Sequence, residues 1–147
     1  MTEKPFLEMT RKMIAGEISP PAVASLIGFS MESVGEGTAV ATLETDDRHT
    51  NPMGTLHGGI LCDLADAAMG MAWASELEPG ESFTTLELKI NFFKPIWKSR
   101  LRAEGRVVRR GRTVGMAECD VRDDSGSLVA RASSTLMTLR GDQATGR

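Results

Sequence analysis

The chain has 147 residues, 41% of them apolar and 25% charged, with a formal net charge of -3. That length suits one domain with a real core, the apolar content excludes general disorder, and the charge gives no broad attraction to nucleic acid. Cys62 and Cys119 stand far apart in different patterns and read as small buried thiols of a reduced, cytoplasmic protein.

In chain order, Phe6, Leu7, Met9, Met13 and Ile14 recur at helical spacing, and Gly16 with Pro20-Pro21 ends that segment. Residues 1–20 are therefore expected to form an N-terminal helical segment lying on the domain. Pro5 follows Glu3 and Lys4, and no apolar run there is long enough for a secretory signal. "SLIGFSMESV" and "TAVATLETD" read as two strands joined by the turn Gly35-Glu36-Gly37. A polar loop, "TDDRHTNPMG", then leads into a long apolar helix from Gly58 to Ala74, which Pro79-Gly80 closes off. With two aspartates and fewer than the roughly 20 apolar residues a bilayer requires, that helix predicts no membrane span.

Beyond it, "FTTLELKINFF" alternates, with Leu86, Leu88, Ile90 and Phe92 on one face and Thr85, Glu87, Lys89 and Asn91 on the other. "SRLRAEGRVVR", "TVGMAECDVRD" and "SLVARASSTLMTL" read as three further strands. Residues 21–140 are expected to be one α+β domain and residues 141–147 a frayed tail. A helix that is apolar nearly all round must be covered on most sides, and one antiparallel sheet curled around it does so. Such a sheet leaves edges, which favour pairing with a second subunit.

The helix raises a chemical question. Gly58 and Gly59 are poor helix residues, yet at a helix start their free N–H groups can meet a ligand at the positive end of the dipole. Such donors suit a carbonyl oxygen gaining charge in acyl transfer. Gly59, Asp63, Asp66 and Gly70 share one stripe, and Asp66 sits among alanines, where a carboxylate must be paired or partly solvated and can serve as a base. Asp63 reads as solvent-facing. Gly59 and Asp66 lie seven residues apart, roughly 10 Å along the axis. Two antiparallel helices of a symmetric dimer would bring the amide of one chain to the aspartate of the other.

The pattern N-x-x-G-x-x-H-G-G-x-x-x-x-L-x-D-x-A, carried by Asn51, Gly54, His57, Gly58, Gly59, Leu64, Asp66 and Ala68, resembles the hotdog-fold acyl-CoA thioesterases, in particular the phenylacetate-pathway and 4-hydroxybenzoyl-CoA thioesterase branch. "INFFKP" is similar to that family's third strand. The resemblance implies a hotdog domain that dimerises through the sheet and helix region, with dimers pairing into tetramers. It implies hydrolysis of an acyl- or aryl-CoA, with no metal and no cofactor beyond the CoA of the substrate. Gly58 would polarise the thioester carbonyl, with Gly59 the next candidate, and Asp66 would activate water or attack the acyl carbon. Asn51 and His57 would orient the thioester or water, and Thr85 would stand near the acid. Three bland readings remain: His57 capping its own loop, Asn51 shaping a turn before Pro52, and Thr85 as an ordinary strand residue.

Lys94, Lys98, Arg100, Arg102, Arg106, Arg109, Arg110 and Arg112 form a basic strip opposed only by Glu104. Arginine recognises phosphate well, so Arg109, Arg110 and Arg112 around the turn are candidates for the CoA phosphates. Arg100, Arg102 and Arg106 read as a solvated face balanced by carboxylates. Trp97 is the one aromatic within the strip, too few for a run of base-stacking platforms, which argues against nucleic acid. A non-catalytic acyl-CoA sensor and a hotdog hydratase or dehydratase are the competing functions. A metal site has no close ligand set, since His49 and His57 are the only histidines.

Overall fold

Pro5 suits a first helical turn because its missing N–H is unneeded there, and the computed structural model, which describes residues 4–147, begins with helix α1 (Pro5–Ile14). Leu7 and Thr10 are its buried residues. A second short helix, α2 (Ala22–Ile27), occupies the start of the expected first strand. Pro21, extended at φ -63° and ψ 153°, caps its beginning. Gly28 ends it at φ 97°, a left-handed conformation that favours glycine, and its N–H donates to the Ala24 carbonyl. The strand reading of Ser25, Leu26 and Ile27 is thus corrected, since the proline start and glycine stop outweigh the apolar run.

Strand β1 (Phe29–Gly35) pairs with β2 (Thr38–Glu44), and a 3-10 turn at Asp47–His49 leads toward α3 (Gly58–Ala74). Four strands follow: β3 (Ser82–Phe92), β4 (Arg100–Arg110), β5 (Val114–Arg122) and β6 (Leu128–Leu139). All six make one antiparallel sheet in the order β1-β2-β4-β5-β6-β3. The remaining residues add a 3-10 turn, Gly141–Ala144, with nothing buried.

The sheet wraps α3 as the apolar periodicity predicts. Leu64, Ala65, Ala68, Met69, Ala72 and Trp73 are fully enclosed with Leu43, Leu101, Val121, Val129 and Leu136. Each large side chain so buried contributes roughly 1.5–3 kcal/mol relative to exposure. Close approach also needs small residues. A Cβ on Gly105 of β4 would lie 2.5 Å from the Ala68 carbonyl oxygen, so glycine at that point lets the strand touch the helix backbone.

β3 does not keep the simple alternation. Its register against β6 shifts between Thr85 and Glu87, leaving Leu86 as the extra residue, 55% exposed. Phe83 packs on the core before the bulge and Leu88 and Ile90 after it, so Thr85 turns toward the helix rather than away. A bulge exchanges the two faces of a strand in this way, re-aiming one side chain. The expected face assignment is corrected here for Thr85 and Leu86.

Candidate active site

The loop before α3 is held by backbone and side-chain bonds. His57 donates its N–H to the His49 carbonyl at 2.8 Å, and Leu56 donates to the Ile96 carbonyl at 2.7 Å. Asn51 shapes the turn: Oδ1 accepts the N–H groups of Met53 and Thr55 at 3.0 and 3.1 Å, and Nδ2 donates to Thr55 Oγ1 at 2.7 Å. His49 is buried, with Nδ1 accepting the Asp46 N–H at 3.0 Å and Nε2 2.6 Å from the Ile27 carbonyl. Both residues carry the loop that aims the helix.

At the helix start, His57 is the N-cap, and its Nδ1 accepts the Gly59 N–H at 2.9 Å. Gly59 is therefore not a free donor. Among the described residues, no acceptor takes the Gly58 N–H, which leaves it as the available amide at the positive end of α3. The Phe92 ring lies beside it. A Cβ on residue 58 would come within 2.9 Å of Phe92 Cζ, while Phe92 itself is 52% exposed. In the sequence Phe92 stands on the apolar face of an alternating strand; its place over the helix start depends on the tertiary pairing of β3.

Asp66 is half-buried, and Thr85 Oγ1 donates to its Oδ1 at 3.1 Å. Oδ1 is thereby oriented, and no other described side chain bonds to the carboxylate. Both residues line a cavity of about 790 Å³ between α3, β3 and the N-terminal helices. Asp63 is exposed at the edge of the same cavity. Its carboxyl is held above the usual aspartate range, first by burial and then by the charge of Asp66. The Cys62 thiol is pushed up by burial and by both aspartates, which disfavours a thiolate nucleophile. Cys119 is buried and pushed up to about 12, mainly by desolvation.

Along α3, Gly58 and Asp66 are eight residues apart, roughly 12 Å. The structure therefore brings Asp66 and Thr85 together and leaves Gly58 beyond reach of the same carbonyl within one chain.

The basic strip divides. Arg102 bonds Glu32 and Glu104 at 3.2 and 2.7 Å, Arg106 bonds Glu118 at 2.8 Å, and Arg100 reaches Glu44 at 3.4 Å. These are the balanced strand face that was expected. Arg110, a candidate for the CoA phosphates, is engaged within the chain. Its guanidinium stacks 4.2 Å from the Trp73 ring centroid and donates to the Trp73 carbonyl at 3.0 Å and to Glu76 at 3.2 Å. That is a cap on the C-terminal end of α3, and it occupies the group. Arg109 and Arg112 are exposed and form no ion pair among the described residues. Among the described residues no three His, Cys, Asp or Glu side chains converge as a metal site, and no helix is long and apolar enough to cross a membrane.

One six-stranded antiparallel sheet wrapped around a long central helix defines the hotdog fold. Residues 53–130, which span α3 and most of the sheet, match the family model described as the thioesterase superfamily, and the chain belongs to that family. A phenylacetic acid degradation-related protein from Ralstonia eutropha JMP134 is 34% identical, with 87% of this chain and 98% of that one covered at a TM-score of 0.79. A thioesterase from Haemophilus influenzae is 25% identical, covers 91% and 90% of the two chains, and also gives a TM-score of 0.79. The 1,4-dihydroxy-2-naphthoyl-CoA hydrolase of Listeria monocytogenes is 28% identical over 110 residues, 75% of this chain and 89% of that enzyme. The protein is a thioester hydrolase of this superfamily, similar to its phenylacetate-pathway branch.

Proposed function

We propose that the protein hydrolyses an acyl-CoA to a free carboxylate and CoA at sites shared between two subunits. The observation that carries this reading is the Asp66 carboxylate, held through one oxygen by Thr85 on the wall of a large apolar cavity. The second oxygen takes a proton from water, and the water oxygen attacks the acyl carbon. The carbonyl oxygen then gains charge against the Gly58 N–H of the neighbouring subunit. Collapse of the tetrahedral intermediate breaks the C–S bond, and the proton on Asp66 passes to the departing thiolate. Direct attack by Asp66 on the acyl carbon, which expels the CoA thiolate and leaves an anhydride that water opens at the aspartyl carbonyl, is the alternative route. Oxygen-18 retained in Asp66 after a single turnover in labelled water identifies it.

A homodimer, and pairing of dimers, belongs to the same proposal. It is supported by the roughly 12 Å between Gly58 and Asp66. The outer edge of β3, with its exposed Leu86 and Phe92, supports it too. Arg109 and Arg112 lie toward the C-terminal end of α3, which an antiparallel partner would set beside the other helix start. Their free guanidiniums would take CoA phosphates there.

Gly58→Pro tests the amide, with the half-exposed Phe92 ring moving aside for the added side-chain carbons. Proline is favoured at a first helical position, and His57 already has the extended backbone that a following proline requires. The substitution deletes the one N–H in question. Mixing Gly58→Pro chains with Asp66→Asn chains should recover about a quarter of wild-type thiol release, because half of the dimers are mixed and hold one intact site each. A mixture as inactive as its parents, with subunit exchange verified, rejects the shared site. The hydratase and sensor readings are met by a panel of acyl-CoAs: thiol release marks the hydrolase, while binding or water addition without release marks the others.

A further inference from the structure

The N-terminal helices have no part in the chemistry above, yet they build most of one wall of the cavity. Met9, Ile14, Ile18 and Val23 are 37–49% exposed, and all four line that space. Their apolar surface therefore faces a common chamber. On the other wall stand Met71 and Phe83, with Asp66 and Thr85 beside them.

The direction of the chamber follows from contacts. Thr10 of α1 reaches Met71 Sδ at 3.6 Å, and Phe6 meets Phe83 edge-on at 6.4 Å between ring centroids. Met71 lies five residues beyond Asp66, roughly 7.5 Å further along α3. An acyl group whose carbonyl sits at Asp66 thus has room to run toward α1. Met9 and Met13, four residues apart, share the face of α1 that borders it.

We infer that α1 and α2 complete a chamber for an uncharged, flexible, aliphatic acyl chain, and that Met9 and Met13 set the length it accepts. This rests on the thioesterase reading of Asp66 and specifies its substrate. Size is the first argument: about 790 Å³ lies in the upper part of the range of roughly 300–1,000 Å³ that accepts drug-sized ligands, more than one aryl ring fills. Wall chemistry is the second. Four methionines, with unbranched thioethers that adapt to irregular shapes, suit a chain with many conformers better than a rigid ring. Charge is the third. No basic side chain is among the described lining residues, while Asp63 and Asp66 are, so a terminal carboxylate on the acyl group meets repulsion and no partner.

The test is thiol release from straight-chain acyl-CoAs from acetyl to palmitoyl, with phenylacetyl-CoA and succinyl-CoA as comparators. The expected kcat/KM climbs about fourfold for each methylene that enters the chamber, then levels off once it is full. The best aliphatic substrate should exceed phenylacetyl-CoA, and succinyl-CoA should fall at least about tenfold below butyryl-CoA. Met13→Phe should move the optimum to shorter chains and Met13→Ala to longer ones, each profile normalised to the variant's own acetyl-CoA rate. Met13→Ala keeps the test intact if the larger side chain prevents folding. A profile flat in chain length, a preference for phenylacetyl-CoA over every aliphatic substrate, or unchanged optima in folded variants would overturn the chamber while leaving hydrolysis standing. Failure of the wild-type protein to cleave any thioester removes the reading beneath it instead.

Discussion

The two ends of α3 are finished in opposite ways. At the C-terminal end, Ser75 Oγ donates to the Ala72 carbonyl at 2.7 Å and accepts the Gly37 N–H at 2.9 Å. Arg110 closes over Trp73 and its carbonyl, and Lys4 donates to the Glu76 carbonyl at 3.0 Å. The Ala72 and Trp73 carbonyls thus have side-chain partners, one from the adjacent Ser75 and one from the distant Arg110, while Gly37 and Lys4 hold the turn just beyond the helix. At the N-terminal end two glycines stand where alanine would favour the helix by up to about 1 kcal/mol each, one amide is left open, and the neighbouring Phe92 ring is half exposed. Side-chain partners are concentrated at one end, and the open amide lies at the other.

The sharpest way to test that division is to remove the acid. Asp66→Asn keeps the shape and can still accept the Thr85 hydrogen bond, but it lacks the basic oxygen. Thioester hydrolysis should fall by about 10²–10⁴-fold, the usual contribution of a general base, with the melting temperature almost unmoved. Near-normal turnover by a folded Asp66→Asn protein would place the reactive centre elsewhere.

Arg110→Ala addresses the other end and should show the converse. It removes a stacked cation and several charge-assisted hydrogen bonds from a half-buried position. A loss of about 2 kcal/mol is expected, lowering the melting temperature by about 4–8 °C in a chain of this size. The KM for acyl-CoA should stay close to wild type. A large rise in KM with unchanged stability would restore Arg110 to the phosphate site and undo the contrast. Thr85→Val is smaller. Loss of one hydrogen bond to a carboxylate should lower kcat by about tenfold, with Thr85→Ser recovering most of it.

Much of this was legible in the sequence because the determinants are local. The all-round apolar helix, the glycine pair at its start, Asp66 among alanines and the last three strands each follow from residues within one element. What was hidden depends on partners distant in the chain. The bulge at Leu86 reverses the face of Thr85, and nothing in an alternating string announces where an extra residue will slip in. Arg110 looks like any turn arginine until β4 delivers it to Trp73. The six residues of α2 are too short to show periodicity, and only their proline and glycine boundaries betray them. Met9 and Met13 carry an ordinary amphipathic pattern, and that pattern does not distinguish a face laid on the core from one that borders a cavity.

The smallest expected effect concerns Asp63, which lies one turn before Asp66 on α3. Burial and the neighbouring charge favour its neutral form in the folded protein more than in the unfolded chain. The stability from this preference is complete below the pH at which an unfolded aspartate titrates, and it is lost as the pH rises through the higher folded value. At neutral pH the ionised Asp63 is therefore a mild burden, softened by its exposure to water. Asp63→Asn should raise the melting temperature at pH 7 by something on the order of a degree. The gain should shrink to nothing in strong acid, where wild type and variant are both neutral at that position. An equal gain at both pH values would mean that the substitution acts through packing or helix propensity. The two aspartates would then share a stripe without sharing their charge.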